Sequence, residues 1–213
     1  DQWLVLEVGM NQRGEIHQLG LIAEPNAAAV INAGTAHIGQ LGSKQAIREE
    51  KCDLISTLIS PGLAVVFADD QELLEQASKV KPTHINLVRY GLNAGCDYQI
   101  LDYELSGFSA CRFTILIKQK TYQVSLPLSG RHNILNAVAA LALAVEMFPK
   151  IAVEKFTSAL ATVHAPPMRL EQIGLGEVLV LNDAYNANPG SVEAALAVCA
   201  SAAKGKRLAV VLG

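Results

Sequence analysis

No two cysteines of this 213-residue chain stand at metal-ligand spacing. Cys52, Cys96, Cys111 and Cys199 are scattered, which argues against a thiolate metal centre or a disulfide framework and for reduced thiols in a cytosolic protein. No apolar run approaches the ~20 residues needed to span a bilayer. The opening DQWLVLEVGM lacks the basic start and small-residue cleavage site of a signal peptide. Blocks of like charge are missing and the formal net charge is only −3, so nothing marks a nucleic-acid or anionic-membrane surface. The chain reads as soluble and cytoplasmic, with no nucleic-acid partner and no membrane insertion. A phosphate loop of the form GxxxxGK[ST] is absent too, and Gly42-Ser43-Lys44 is too short to replace it.

What is present is apolar and periodic. Hydrophobic residues make up 51% and charged residues 17%, enough to bury a real core in one large or two smaller α/β domains. WLVLEVG, AAAVINAG, LAVVFAD and HINLVRYG read as buried strands separated by helical stretches. The helices are GEIHQLGLIA, a segment from Ser43 as N-cap to about Ile59 before Pro61-Gly62, and one from Asp70 to Val80. Strands alternating with helices predict a mostly parallel sheet covered on both faces.

From Cys96 to Leu128 the pattern changes to apolar–polar alternation, in DYQILDYEL, CRFTILI and TYQVSLPL. This predicts a small antiparallel sheet appended to the parallel core. RHNILNAVAALALAVEM then places Ile134, Val138, Leu141 and Val145 on one helical stripe, and AVEKFTSALATV is a further helix. The break at Ala165-Pro166-Pro167 is the expected domain boundary, with residues 1–165 before it and 166–213 after. Beyond it, GEVLVLND, PGSVEAALAV and RLAVVLG read as strand, helix and strand. The chain opens and closes inside apolar runs, as a piece of a longer polypeptide would.

Several polar groups fall where chemistry is expected. Asp183 ends the GEVLVL strand, where open α/β sheets place ligand-contacting residues. Asn188 is a candidate N-cap with Pro189 in the first turn, leaving Gly190 and Ser191 to offer backbone N–H groups to an anion or water. The same residues also read as nothing more than a well-capped turn. Glu7 closes WLVLEVG just before Gly9, a way to hold a hard cation beside phosphates or simply to charge the next helix. His37 and Lys51 follow the second strand; isolated residues of these types are more often structural than catalytic, and His17, His84 and His164 are read as structural. His132, Asn133 and Asn136 crowd the start of the long helix, where polar caps are common. Asn136, inside the helical pattern, can offer a donor and an acceptor to an adenine edge. Arg169 has the fork to hold a phosphate or carboxylate.

In order along the chain stand EVGMNQRGEIHQL, TAHIGQLGS with a lysine fourteen residues after its histidine, GRHNILNAVAA, MRLE and LNDAYNANPGS. Any one is weak, but all five in this order resemble the Mur ligase family across essentially the whole chain. EVG-x-N-x-x-GEI and D-x-YNANP are most like its members that add D-alanyl-D-alanine to UDP-N-acetylmuramoyl-tripeptide. The resemblance implies a P-loop NTPase-like central ATP-binding domain in residues 1–165, N-terminally incomplete, and the start of a Rossmann-like C-terminal domain in 166–213. It implies Mg²⁺ ligands at Glu7 and His37, with Lys51 joining them once carbamylated. It places ATP against His132, Asn133, Asn136, Arg169 and Asp183, and puts Tyr185, Asn186, Asn188 and Ser191 near nucleotide or substrate. Its cofactors are ATP and Mg²⁺, and the full enzyme is expected to be a monomer in peptidoglycan precursor synthesis. The fragment alone is expected to be inactive. Another amino acid ligase of the superfamily, diaminopimelate- or lysine-adding or a folylpolyglutamate synthase, remains an alternative, as does a non-catalytic nucleotide-binding module.

Overall fold

Alternating apolar strands and amphipathic helices assemble as the spacing predicts. A computed structural model describes residues 3–34, 38–108, 110–203 and 205–212. Strands β1 (Ala27–Val30), β2 (Gly62–Phe67) and β3 (Ile85–Gly91) pair in parallel in that order. Strands β4 (Tyr98–Ser106), β5 (Ala110–Ile117) and β6 (Lys120–Leu126) follow as an antiparallel meander. The meander is appended edge-on and completes one six-stranded sheet, β1 to β6. The two halves meet through only two parallel pairs, Tyr90 with Tyr98 and Gly91 with Gln99. Residues 92–97 loop out and the chain then continues in the same direction, so no crossover helix is needed.

Both faces of the parallel half are covered. The helices are α1 (Glu15–Ala23), α2 (Ile38–Leu41), α3 (Lys44–Ser56), α4 (Gln71–Val80), α5 (Arg131–Met147) and α6 (Val153–Leu160). Within β2, Leu63 and Val65 face the core formed with Ile134, Val138, Leu141 and Val145 of α5. Ala64 and Val66 face the opposite core, which holds Ile16 of α1, Ile47 and Ile55 of α3 and Leu73 of α4. Period-two alternation on a sheet buried from both sides accounts for the unbroken apolar run. The helix starts are local chemistry: Ser43 Oγ accepts from Ala46 N–H at 3.1 Å, and Asp70 Oδ1 from Leu73 N–H at 3.1 Å.

Beyond the Pro-Pro break, β7 (Glu171–Leu175) and β8 (Val178–Asn182) form a separate two-stranded antiparallel sheet, followed by α7 (Pro189–Ala202). Two expected strands are not formed. WLVLEVG is irregular and Val5 is 93% exposed; residues 207–212 of RLAVVLG are irregular and Val211 is 94% exposed, with Gly213 outside the described residues. Apolar content alone does not make a strand, because its N–H and C=O groups need a neighbouring chain, and neither run pairs with one among the described residues.

Candidate functional site

The carboxyl ends of β1, β2 and β3 lie along one edge of the sheet, where open α/β folds bind ligands. Side chains tie this edge together. Lys51, on α3, donates to the Asn32 carbonyl at 2.9 Å and lies 3.4 Å from Asn32 Oδ1, just beyond β1. Burial lowers the Lys51 pKa from its ordinary value. Tyr90 near the end of β3 is fully buried and donates to the Ile31 carbonyl at 3.2 Å. Asp69, beyond β2, accepts from the Leu92 and Asn93 N–H groups after β3 at 3.0 and 2.9 Å. Arg48 of α3, 6% exposed, pairs with Asp70 at 3.1 Å and with Glu72.

The residue before Lys51 has a different task. Glu50 is 4% exposed, and its two oxygens accept from Gly14 N–H at 2.8 Å and Ile16 N–H at 3.0 Å. It thereby caps α1, whose own N-cap residue Gly14 has no side chain to do so. One turn of α3 thus grips both the start of α1 and the exit of β1.

A second group of polar residues comes from beyond the Pro-Pro break. Leu170 N–H donates to Asp183 Oδ1 at 3.0 Å, and Tyr185 N–H donates to the Met168 carbonyl at 3.2 Å. These bonds hold the MRLE and LNDAY segments side by side. The Arg169 guanidinium lies 4.2 Å from the centroid of the Tyr185 ring, a cation–π contact at an exposed position. This group faces the start of α5. Burial lowers the pKa of half-buried His132, and the negative charge of Asp183 opposes that shift. Val198 of α7 packs at Gly130, where an added Cβ would come within 3.1 Å of Val198 Cγ2 and 2.6 Å of the His132 ring, at a φ of 92° that favours glycine.

The other expected site residues sort clearly. Asn136 is exposed on α5, and Asn133 turns back to donate to the Ser129 carbonyl at 2.8 Å. Tyr185 and Asn186 are exposed. Asn188 is the N-cap of α7, as expected, but the Ser191 N–H is not free. It donates to Asn188 Oδ1 at 3.0 Å, and Ser191 Oγ accepts in return from the Asn188 N–H at 3.0 Å. The reciprocal cap consumes the donor that was to meet an anion. Glu7 is exposed and carries no described hydrogen bond or ion pair. His37 lies outside the described residues. The structure therefore brings the charge of Asp183 to bear on His132 and stacks Arg169 on Tyr185, while Lys51 stands with Asn32 at the β1 exit. Asn32, Glu50, Asp69 and Tyr90 were not singled out from the sequence. Asn32 and Asp69 had a signal in their position after a strand; Glu50 and Tyr90 had none.

Known proteins resemble this chain over most of its length. The Mur ligase middle domain matches residues 2–144. The UDP-N-acetylmuramoyl-tripeptide–D-alanyl-D-alanine ligase of Bacillus subtilis (strain 168) is 36% identical over 193 residues, covering 90% of this chain and 40% of that enzyme. The crystal structure of MurF from Acinetobacter baumannii superimposes with a TM-score of 0.80 at 30% identity, covering 90% of this chain and 41% of that one. MurF ligase from Thermotoga maritima, solved in complex with ADP, shares the fold with a TM-score of 0.76 at 22% identity, covering 89% of this chain and 42% of that one. The chain spans 40% of the length of its Bacillus subtilis relative. With the middle-domain match running through the sheet and most of α5, the chain belongs to the Mur ligase family.

Proposed function

We propose that this chain is part of an ATP-dependent amide ligase that adds D-alanyl-D-alanine to UDP-N-acetylmuramoyl-tripeptide in peptidoglycan precursor synthesis. The observation that carries this reading is the 36% identity to a ligase of that name across 90% of the chain. Residues 1–165 are the central ATP-binding domain and 166–213 the start of the C-terminal domain, a division supported by the separate β7–β8 sheet after the Pro-Pro break. The full enzyme is proposed to act as a cytoplasmic monomer.

In this reaction ATP phosphorylates the terminal carboxylate of the tripeptide. The amine of D-alanyl-D-alanine attacks the resulting acyl phosphate, and the tetrahedral intermediate releases phosphate to leave an amide. Catalysis of such a transfer rests on positioning and on neutralising charge at the moving phosphoryl group. Asn136 presents an exposed amide to the adenine edge, with His132 and Asn133 beside it. Arg169 and Asp183 approach the nucleotide from the C-terminal side, Asp183 at the ribose, with Tyr185, Asn186, Asn188 and Ser191 lining that face. Closure of this face excludes water from the acyl phosphate. Lys51, held at the β1 exit, faces the reacting end.

Mg²⁺ fits in kind. Glu7 offers a carboxylate with no described partner, and Mg²⁺ commonly takes one or two carboxylates together with substrate phosphates and water. His37 and carbamylated Lys51 complete the proposed set; among the described residues no group of three His, Cys, Asp or Glu is placed to hold a metal. When bound, the ion would neutralise phosphate charge.

Phosphate release tests the reading, using the full-length polypeptide that contains this chain with Mg·ATP and UDP-N-acetylmuramoyl-tripeptide. Release that requires D-alanyl-D-alanine is the expected result. Release that answers instead to a single amino acid assigns another ligase step of the superfamily. No release with any donor leaves a nucleotide-binding module. The 213-residue chain alone is expected to give none.

A further inference from the structure

The exit of β1 is held by two side chains from distant parts of the chain. The first two carbonyls beyond the strand are those of Ile31 and Asn32. Ile31 O accepts from Tyr90 Oη at 3.2 Å, and Asn32 O accepts from Lys51 Nζ at 2.9 Å. β2 lies between β1 and β3 in the sheet, so the Tyr90 hydroxyl reaches past a whole strand to make its bond. Its ring is anchored for that reach, fully buried and tilted against Phe67 at a centroid distance of 5.5 Å. Burial, and next the charge of Asp69, raise the Tyr90 pKa, so the phenol stays protonated and remains a donor.

We infer that Tyr90 is a positioning residue: its hydroxyl fixes the β1 exit and so presents Asn32 as the acceptor that holds Lys51 at the carboxyl edge. A carbonyl at the end of a strand has lost its ladder partner and is free to wander unless a donor meets it. Ile31 is 39% exposed, so water can satisfy that carbonyl without Tyr90. Water would leave the position of the exit undefined. The phenol defines it, on a ring that cannot move without disturbing the core.

The ring packs with or without its oxygen, so Tyr90→Phe in the full-length polypeptide removes the hydrogen bond and little else. A purely structural phenol would lower the melting temperature and leave Lys51 unchanged. The primary measurement is therefore the rate at which an amine-acylating reagent labels Lys51, after dialysis at mildly acidic pH in CO2-free buffer has returned any carbamate to the free amine, read by peptide mass spectrometry and normalised to exposed Lys44 on the same helix. Labelling should rise about threefold in Tyr90→Phe, as expected for loss of one hydrogen bond that orders its surroundings. The kinetic arm rests on the ligase reading: kcat should fall about fivefold while KM for ATP stays within about twofold. Unchanged labelling in a folded variant overturns the inference, and so does increased labelling with unchanged kcat. If the unsubstituted polypeptide shows no turnover, the ligase reading fails, and labelling still decides whether Tyr90 positions Lys51. Phe67→Leu, which loosens the ring against which Tyr90 is tilted, is the second probe should Tyr90→Phe fail to fold. It must also raise Lys51 labelling, and unchanged labelling there sinks the proposal.

Discussion

The strands GLAVVF and VLVLN are both mainly apolar, with two valines each, and have very different surroundings. In β2 every residue but Phe67 is buried, and Val65 and Val66 are wholly so. In β8 none is buried, and Val178 is 61% exposed. The difference is not in the strands but in what covers them. β2 has a neighbour on each side and helices on both faces; β8 has one partner strand. The same contrast holds for the two halves of the proposed site. The carboxyl edge of the large sheet is tied by buried or half-buried groups at Arg48, Glu50, Lys51, Asp69 and Tyr90. The segment beyond the Pro-Pro break has Val198 as its one buried apolar side chain among the described residues. Such an arrangement suits a rigid half that places reacting groups and a lightly held half that moves onto a ligand.

Substitutions can break or sharpen this contrast. Arg48→Ala should be the most costly, about 3–5 kcal/mol, because it removes a buried cation's packing and leaves Asp70 at the edge of the core with only the Leu73 N–H as a donor among the described residues. Urea unfolding reads it, and a loss under ~1 kcal/mol would show that the edge does not depend on this pair. Leu141→Ala, at 2% exposure in α5, should cost about 2–5 kcal/mol, against under ~1 kcal/mol for Leu179→Ala in β8 at 45%. Equal costs would abolish the distinction. Glu50→Gln keeps the shape but turns an amide donor toward one of two N–H groups, for a loss of about 1–3 kcal/mol. Hydrogen exchange should then quicken at Gly14 and Ile16 before it does in α5. Arg169→Ala should alter stability by only ~0.5–1 kcal/mol, since its cation–π contact is exposed. If Arg169 meets the nucleotide, the same change should raise KM for ATP at least about tenfold; an unchanged KM removes it from the site.

The smallest effect is one of pH. Burial holds the folded-state pKa of His132 below its ordinary value. As pH falls below about 6.5, the unfolded chain therefore takes up this proton first. The contribution to stability is complete above that value and is lost as pH falls through it toward the lowered folded pKa. The melting temperature of His132→Gln should decline less between pH 6.5 and 5 than that of the parent; parallel curves would mean that His132 is not the group responsible.

Much of the fold was legible because its causes are local. Ser43, Asp70 and Asn188 each bond an N–H three residues on, a spacing visible in any sequence. The stripe Ile134, Val138, Leu141 and Val145 needs only the pitch of a helix, and all four are buried. The same reasoning failed at WLVLEVG and RLAVVLG, where an apolar run was taken for a strand. Whether such a run pairs depends on a neighbouring edge, which pattern cannot supply. It failed at Ser191 for the opposite reason: the local cap was stronger than assumed and used the N–H itself.

For the proposed site the division is sharper. The sequence by itself determined which chemical groups are present, that Asp183 ends a strand, and that His132 and Asn136 share a helix, because these follow from order and period along one chain. Only the tertiary structure decided that Glu50 caps a helix 34 residues away and that Tyr90 meets a carbonyl 59 residues away. It alone decided that Asp183 comes close enough to act on the charge of His132. Hydrogen bonds and fields act through space at a few ångströms, and distance along the chain says nothing about distance through it until the sheet has brought its strand ends to one edge.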